Sequence, residues 1–336
     1  MRVLIHARHR YPARRDDGTG LVPRPDPSGA PDHVIDLLAR GLAEEGLEVA
    51  YLLPAGADEP LPEGVRLATR PEDADVFHNL EVAGRPWFVT VHGHRPPAGY
   101  YDRLADGAIT AAPGRDAESP YELPAGGICV SRTLAETFGG GRSILNGLDP
   151  AELTFSAAKE DYLLFLAGMQ GPSIPDIWRH KGLEDALALA RDMGFPLMVA
   201  GTVREREVGE RIAAMCLEAG ARYLGDVRGP RKAELLAGAR ALLFPTRLHE
   251  GCPLVIIEAL MSGTPVIASD RGSCPELVTP DVGYICSDRA AYRSAIEGLA
   301  EIDPEACRAK GLRDFHYRRM AADYAREYEL ALARAA

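Results

Sequence analysis

The sequence lacks a long apolar run. Its longest such stretches, 161–168 and 252–261, fall well short of the roughly 20 residues that a membrane-spanning helix requires. It also lacks a leader pattern. Met1-Arg-Val-Leu-Ile reads straight into a strand, with no apolar h-region and no small-residue cleavage site, so a cytoplasmic protein is expected. Basic residues are in deficit: 38 Lys and Arg stand against 49 Asp and Glu, a net charge of −11. That balance argues against nucleic acid or anionic lipid as a partner, because both are held by clustered cations. One local cluster, Arg8, Arg10, Arg14, Arg15 and Arg24, lies among Gly and Pro residues; it reads as a solvated segment or as a lip for an anionic ligand. The six cysteines, Cys129, Cys216, Cys252, Cys274, Cys286 and Cys307, include no Cys-x-x-Cys pair, and neither disulfides nor zinc is expected. There is no Gly-x-Ser-x-Gly elbow for hydrolase chemistry and no internal repeat of about 20–50 residues.

What is present is an alternation. With 336 residues, 46% apolar and 26% charged, the chain can bury two ordinary cores. Short apolar or β-branched runs near 2–7, 49–53, 75–80, 87–92, 107–111 and 127–131 read as strands. A helix is expected over 30–46, from Val34, Leu37, Leu38 and Leu42 at helical spacing, ending at Gly46. A second series follows, with strands near 162–167, 197–201, 222–224, 240–244 and 264–269. Helices near 181–193, 205–219, 231–238, 253–262 and 289–300 alternate with them, and a last helix covers 313–334. This pattern predicts an α/β protein with two parallel sheets. Asn146-Gly-Leu-Asp-Pro150 and the residues up to Lys159 have linker chemistry, which divides the chain into 1–150 and 151–312.

The densest chemistry lies in 244–276. A strand at 240–244 runs into a loop with Glu250-Gly251, then into a helix that Pro253 opens. Ligands of open α/β sheets bind where a strand's carboxyl end meets a helix amino end, and the free N–H groups there attract anions. Glu250 falls in that loop and Glu258 in the second turn of the helix.

Glu250-x7-Glu258, followed by Ala-Leu-Met-Ser-Gly-Thr-Pro-Val-Ile-Ala-Ser269 and then Pro275-Glu276, resembles the signature of family 4 of the retaining GT-B glycosyltransferases. Other segments resemble the family pattern in order: Ser28-Gly29-Ala30, Asp75-Val-Phe-His78, Thr90-Val-His92-Gly93, Ser131, Ile144-Leu-Asn146-Gly147-Leu-Asp149, Phe165-Leu-Ala-Gly168, His180-Lys181-Gly182, Val199-Ala-Gly201, Tyr223-Leu-Gly225-Asp226 and Met320-Ala-x-x-Tyr324. The composition and compact first half are similar to those of actinobacterial natural-product and oligosaccharide transferases.

The resemblance implies two doubly wound Rossmann-like domains facing a central cleft. An acceptor-binding domain over 1–150 would receive the last helix, 313–336, and a nucleotide-sugar-binding domain would cover 151–312. It implies transfer of a sugar, with retention and without a metal, from a UDP- or GDP-sugar to a hydroxyl, and no cofactor beyond that substrate. His92, Lys181 and Glu250 are the catalytic candidates. Gly29, Gly168, Arg179, Lys181, Gly201, Gly225, Val227, Glu250, Gly251, Cys252, Pro253, Leu254, Val255 and Glu258 are the donor-binding ones, and Ser28, His78 and His94 the acceptor-binding ones. Segment 95–106 is nearly neutral, so a small soluble acceptor is expected rather than a membrane-borne one.

One departure stands out. Where the family has an Arg that pairs with the donor diphosphate, this chain has Met169 and an insert from Gln170 to Arg179. Arg179 is a candidate replacement, and Lys181, expected at the start of helix 181–193, would be the main side-chain cation. The departure also keeps open a noncatalytic auxiliary protein that binds a nucleotide sugar, while a GT-B nucleotide-sugar epimerase is disfavoured by the Glu-x7-Glu segment.

Overall fold

In a computed structural model the described residues are 1–6, 13–14, 21–22, 30–52, 61–68, 74–79, 85–92, 123, 126–169 and 176–335. Ser28, Gly29 and His94, the strand expected near 107–111, and Arg8, Arg10, Arg15 and Arg24 lie outside them.

Strand β1 (Arg2–His6) opens the chain, and β2 (Ala13–Arg14) pairs antiparallel with β3 (Leu21–Val22) in a separate ribbon. Helix α1 (Ala30–Glu44) follows. Then come β4 (Glu48–Leu52), β5 (Val65–Ala68), β6 (Val76–His78), β7 (Trp87–Val91), β8 (Gly127–Cys129), helix α2 (Arg132–Thr137) and β9 (Arg142–Ser143). The first sheet has the order β5-β4-β1-β6-β7-β8-β9, every neighbouring pair parallel.

The second sheet is built from β10 (Leu163–Leu166), β11 (Leu197–Ala200), β12 (Arg222–Tyr223), β13 (Ala241–Phe244), β14 (Val266–Ser269) and β15 (Gly283–Cys286). Its helices are α3 (Ile177–His180), α4 (Leu183–Met193), α5 (Arg206–Glu218), α6 (Gly229–Gly238), α7 (Leu254–Met261), α8 (Cys274–Leu277) and α9 (Arg289–Glu297). All strand pairs are again parallel, in the order β12-β11-β10-β13-β14-β15. Every residue of β10, β13 and β14 is buried, as continuous apolar strands covered on both faces require. Chain direction in the order reverses between β10 and β13, which makes their carboxyl ends the switch point where ligands of such sheets bind.

Helix α10 (Pro304–Phe315) is followed by α11 (Tyr317–Ala335). The expected single helix over 313–334 is broken at His316 for a backbone reason. Leu148 N–H donates to the Phe315 carbonyl at 2.8 Å, and Tyr317 N–H donates to the Leu148 carbonyl at 3.1 Å, so the chain pairs with itself there.

The chain separates into two compact units. The described residues of the first fall within 1–92, 121–148 and 315–335, and those of the second within 149–169 and 176–314. In the first unit α11 lies against α1 at Gly41, where an added Cβ would come within 2.6 Å of the Ala321 Cβ. Glu44 at the end of α1 accepts from the Tyr317 hydroxyl at 2.9 Å and from Arg318 Nε at 2.7 Å. In the second unit one apolar cluster joins β10, β11 and β13 to α4, α5 and α9. No helix among the described residues is long and apolar enough to cross a membrane.

Candidate functional site

The carboxyl end of β10 runs into Ala167-Gly168-Met169. Main-chain bonds tie this turn to its neighbours: Ala167 N–H donates to Ala200 O at 3.3 Å, Met169 N–H to Thr202 O at 3.0 Å and Gly201 N–H to Gly225 O at 2.9 Å. Only glycine fits at 201, because a Cβ there would stand 1.8 Å from the Ala167 carbonyl oxygen. Gly168, by contrast, faces open space. Beyond β12, Asp226 accepts from Thr202 Oγ1 at 3.1 Å and from Arg228 Nε at 2.8 Å, while Val227 is buried.

Met169 has no exposed surface and sits in the second unit's apolar cluster. Its side chain therefore presents nothing to an anion. Arg179 stacks over the Trp178 ring at 4.9 Å and lies 3.9 Å from Asp176. The position that lacks the family's Arg is thus filled by core packing, while the Arg179 guanidinium, 41% exposed, is held by stacking and a long ion contact.

The expected helix over 181–193 is split. Lys181 caps the carboxyl end of α3, its N–H donating to Ile177 O at 2.9 Å, and Gly182 separates it from α4. Lys181 still stands directly ahead of Gly182, the amino-terminal cap of α4, and Glu184 and Asp185 in the first turn of that helix offset its positive end locally. Gly182 has φ +83°, and a Cβ on it would lie 2.0 Å from the Pro245 carbonyl oxygen. That close approach brings the residues around Lys181 against the loop leaving β13.

Glu250 stands on that loop. Lys181 Nζ donates to Glu250 Oε1 at 2.5 Å, and both side chains are mostly buried. From the other side Glu250 is backed by the turn after β14: Ser273 N–H donates to the Glu250 carbonyl at 3.0 Å, and Gly272, with φ +54°, packs so close that a Cβ would meet Glu250 N and O at 2.5 Å. Just beyond, Gly251, Cys252 and Pro253 are buried, and Pro253 caps α7 without a side-chain bond, so the first-turn N–H groups of Leu254 and Val255 lack side-chain capping. Glu258, on α7, accepts from Lys232 Nζ of α6 at 2.7 Å.

Cys274 beneath Glu250 is no nucleophile. Burial first, then the Glu250 carboxylate, push its thiol up, partly offset by Lys181.

In the first unit the candidates gather at the carboxyl ends of β6 and β7. His78 is fully buried. Its Nδ1 is hydrogen-bonded to the Tyr328 hydroxyl at 2.8 Å and its Nε2 to Thr90 Oγ1 at 3.0 Å, and Thr90 Oγ1 is bonded in turn to the Tyr324 hydroxyl at 2.8 Å. Expected to meet an acceptor, His78 instead fastens α11 to the sheet, with both ring nitrogens already used. Burial, and then repulsion from His92, hold its pKa down to about 3; burial holds His92 down to about 4. Both rings are neutral at pH 7.

Sequence reasoning did not single out Thr246, Lys232 or Thr202. The one available signal was Thr246 itself, a small hydroxyl residue directly after a buried strand and four positions before Glu250.

The family model described as Glycosyl transferases group 1 matches residues 163–301, from β10 past α9. Phosphatidyl-myo-inositol mannosyltransferase of Mycobacterium leprae (strain TN) is 26% identical, covering 90% of this chain and 93% of that protein. The solved structure of AviGT4, a glycosyltransferase involved in avilamycin A biosynthesis, superposes with a TM-score of 0.71 at 26% identity, covering 99% of this chain and 98% of that one. The chain is a glycosyltransferase of the GT-B fold whose second unit carries a Glycosyl transferases group 1 segment. A structure of Anabaena Alr3699/HepE in complex with UDP shares the fold at 14% identity, with a TM-score of 0.66 over 98% of this chain and 100% of that one. In this glycosyltransferase the matched segment contains Lys181, Glu250 and Glu258, so the switch-point cluster falls within the family's shared part.

Proposed function

We propose that this glycosyltransferase takes a sugar from a nucleoside-diphosphate donor held at the carboxyl edge of its second sheet and passes it, with retention, to an acceptor hydroxyl. The observation that carries the reading is the meeting of Lys181 and Glu250 at the switch point, beside the uncapped amino end of α7. In this reading Lys181 and the α7 amides stabilise the diphosphate as the anomeric C–O bond breaks. Glu250 orients the sugar through its hydroxyls, and Glu258, freed from Lys232, holds the ribose. The new C–O bond forms on the face the diphosphate leaves, and the acceptor's proton passes to the departing phosphate oxygen. Positioning and electrostatics then supply the rate, without a metal or a further cofactor. His92, as a neutral imidazole, would contact the transferring sugar by hydrogen bonding and not by proton shuttling.

The relatives' names make mannosyl donors the first to try. The near-neutral 95–106 segment favours a soluble acceptor over a lipid. The test is mass spectrometry of products from a panel of UDP- and GDP-sugars with candidate hydroxyl acceptors in EDTA, alongside calorimetry with UDP and GDP. Transfer that stops in EDTA overturns the metal-free mechanism. Nucleoside diphosphate binding without any turnover would instead support the auxiliary reading, which the buried Met169 favours; no binding at all would overturn the donor site.

A further inference from the structure

We infer that Thr246 is a positioning residue that keeps Lys181 and Glu250 in register; the inference rests on reading that pair as the donor-facing one. Two segments face each other across the switch point, 180–185 and 245–250. Main chain and side chain both join them. Arg247 N–H donates to the His180 carbonyl at 2.8 Å, and the Arg247 guanidinium grips both Asp185 oxygens at 2.8–3.0 Å. That ion pair is nearly half exposed on both sides, which leaves it little energy to hold anything.

Thr246 is different, being only 1% exposed. Its Oγ1 accepts from Leu248 N–H at 3.2 Å and lies 3.5 Å from the His180 carbonyl oxygen and 3.4 Å from Glu250 Oε1, the same oxygen that Lys181 holds. One hydroxyl proton serves either of two acceptors. Donated to Glu250, it restrains the carboxylate from within its own loop; donated to His180, it links that loop to the residue preceding Lys181. At 3.4–3.5 Å both are long hydroxyl bonds, so either choice biases the distance between the two charged groups. A methyl in place of the hydroxyl leaves the Leu248 N–H without this acceptor and Glu250 Oε1 with one donor fewer, in a site where water is mostly excluded.

The experiment measures the pair directly and needs no donor. The full chain is treated with sulfo-N-hydroxysuccinimidyl acetate, and acetylation of Lys181 is followed by peptide mass spectrometry, with Lys232 in the same sample as the internal reference. Glu250→Gln sets the rate of a released Lys181. Thr246→Val should raise the Lys181 rate relative to Lys232 about fivefold, the factor expected for one lost hydrogen bond, and Thr246→Ser should restore the wild-type ratio. If the valine variant does not fold, Thr246→Ala against Thr246→Ser makes the same comparison. A wild-type ratio in the valine or alanine variant overturns the assignment, even where thermal stability falls, because a purely structural residue would give that pattern. A serine variant as reactive as the valine one also overturns it, since packing and not the hydroxyl would then matter. Titration of the wild type with UDP and with GDP separates the two failures: absence of binding removes the donor reading while the acetylation result still decides what Thr246 does.

Discussion

Lys181 Nζ lies 2.5 Å from Glu250 Oε1, although 69 residues separate the two in sequence. The contact joins the segment after β10 to the loop after β13 across the strand-order reversal of the second sheet. Lys181 is thereby oriented before any ligand arrives, which lowers the cost of ordering a long flexible side chain when an anion binds.

Lys181→Ala should therefore reduce turnover more than it reduces donor affinity, because charge on the diphosphate grows as the sugar departs. A loss on the order of 10²-fold in the chemical step is expected for one missing electrostatic partner. Single-turnover kinetics beside calorimetry with the free nucleoside diphosphate measures both quantities. Arg179→Ala should mimic Lys181→Ala only if Arg179 has taken over the missing phosphate clamp, and should otherwise leave the chemical step near wild type.

Glu258→Ala should weaken UDP or GDP binding more than Glu250→Ala does. The loss of a charged hydrogen bond is worth about 1.5–3 kcal/mol. Glu258 is paired with Lys232, so Lys232→Met should also change the affinity. Calorimetry on the three variants decides the matter; equal affinities for wild type and Glu258→Ala remove Glu258 from the nucleotide site.

Much of this was legible in the sequence, for identifiable reasons. Strands β10, β13 and β14 are uninterrupted apolar runs because both their faces are covered, and α1 shows its buried stripe at helical spacing. Elements that build little core were not legible. Strand β5 buries only Val65 and Ala68 at an edge, β15 is four residues in a turn-rich stretch, and α10 carries few apolar positions. At the break only Gly182 itself was a local signal; what bars any other residue there is the Pro245 carbonyl, more than sixty residues away, which no local pattern shows. His78 looked like a ligand residue because a strand-end histidine reads the same whether it faces solvent or, as here, Tyr328. Lys232 escaped notice because its partner sits on another helix.

His78, fully buried, and His92, partly buried, predict how stability depends on pH. Their folded-state values, about 3 for His78 and about 4 for His92, lie below the unfolded value of 6.5. Between these limits the unfolded chain binds more protons, so stability is full above pH 6.5 and falls as the pH drops toward 4, by at most about 1.4 kcal/mol per pH unit per histidine. Urea unfolding at pH 7, 6 and 5 gives the slope. His78→Gln should be less stable at pH 7, through its lost bonds to Tyr328 and Thr90, yet show a flatter dependence; an unchanged slope would mean that His78 is protonated without opening the network.

Gly182 and Gly194 flank the same helix, α4, and both have left-handed backbones, with φ +83° and +72°. Each should lose about 1–2 kcal/mol on substitution by Ala, from the backbone alone. Their surroundings differ. A Cβ at 194 meets nothing within 4 Å, whereas one at 182 would stand 2.0 Å from a carbonyl oxygen and force the Pro245 loop to move. Gly182→Ala should thus be clearly less stable than Gly194→Ala in urea. It should also lose catalytic activity out of proportion to its stability, because the displaced loop carries Glu250 away from Lys181. Gly194→Ala should keep wild-type activity wherever it is folded. Equal stabilities for the two variants would show that the Pro245 loop yields at no cost, and that the close approach at Gly182 is not what holds the pair together.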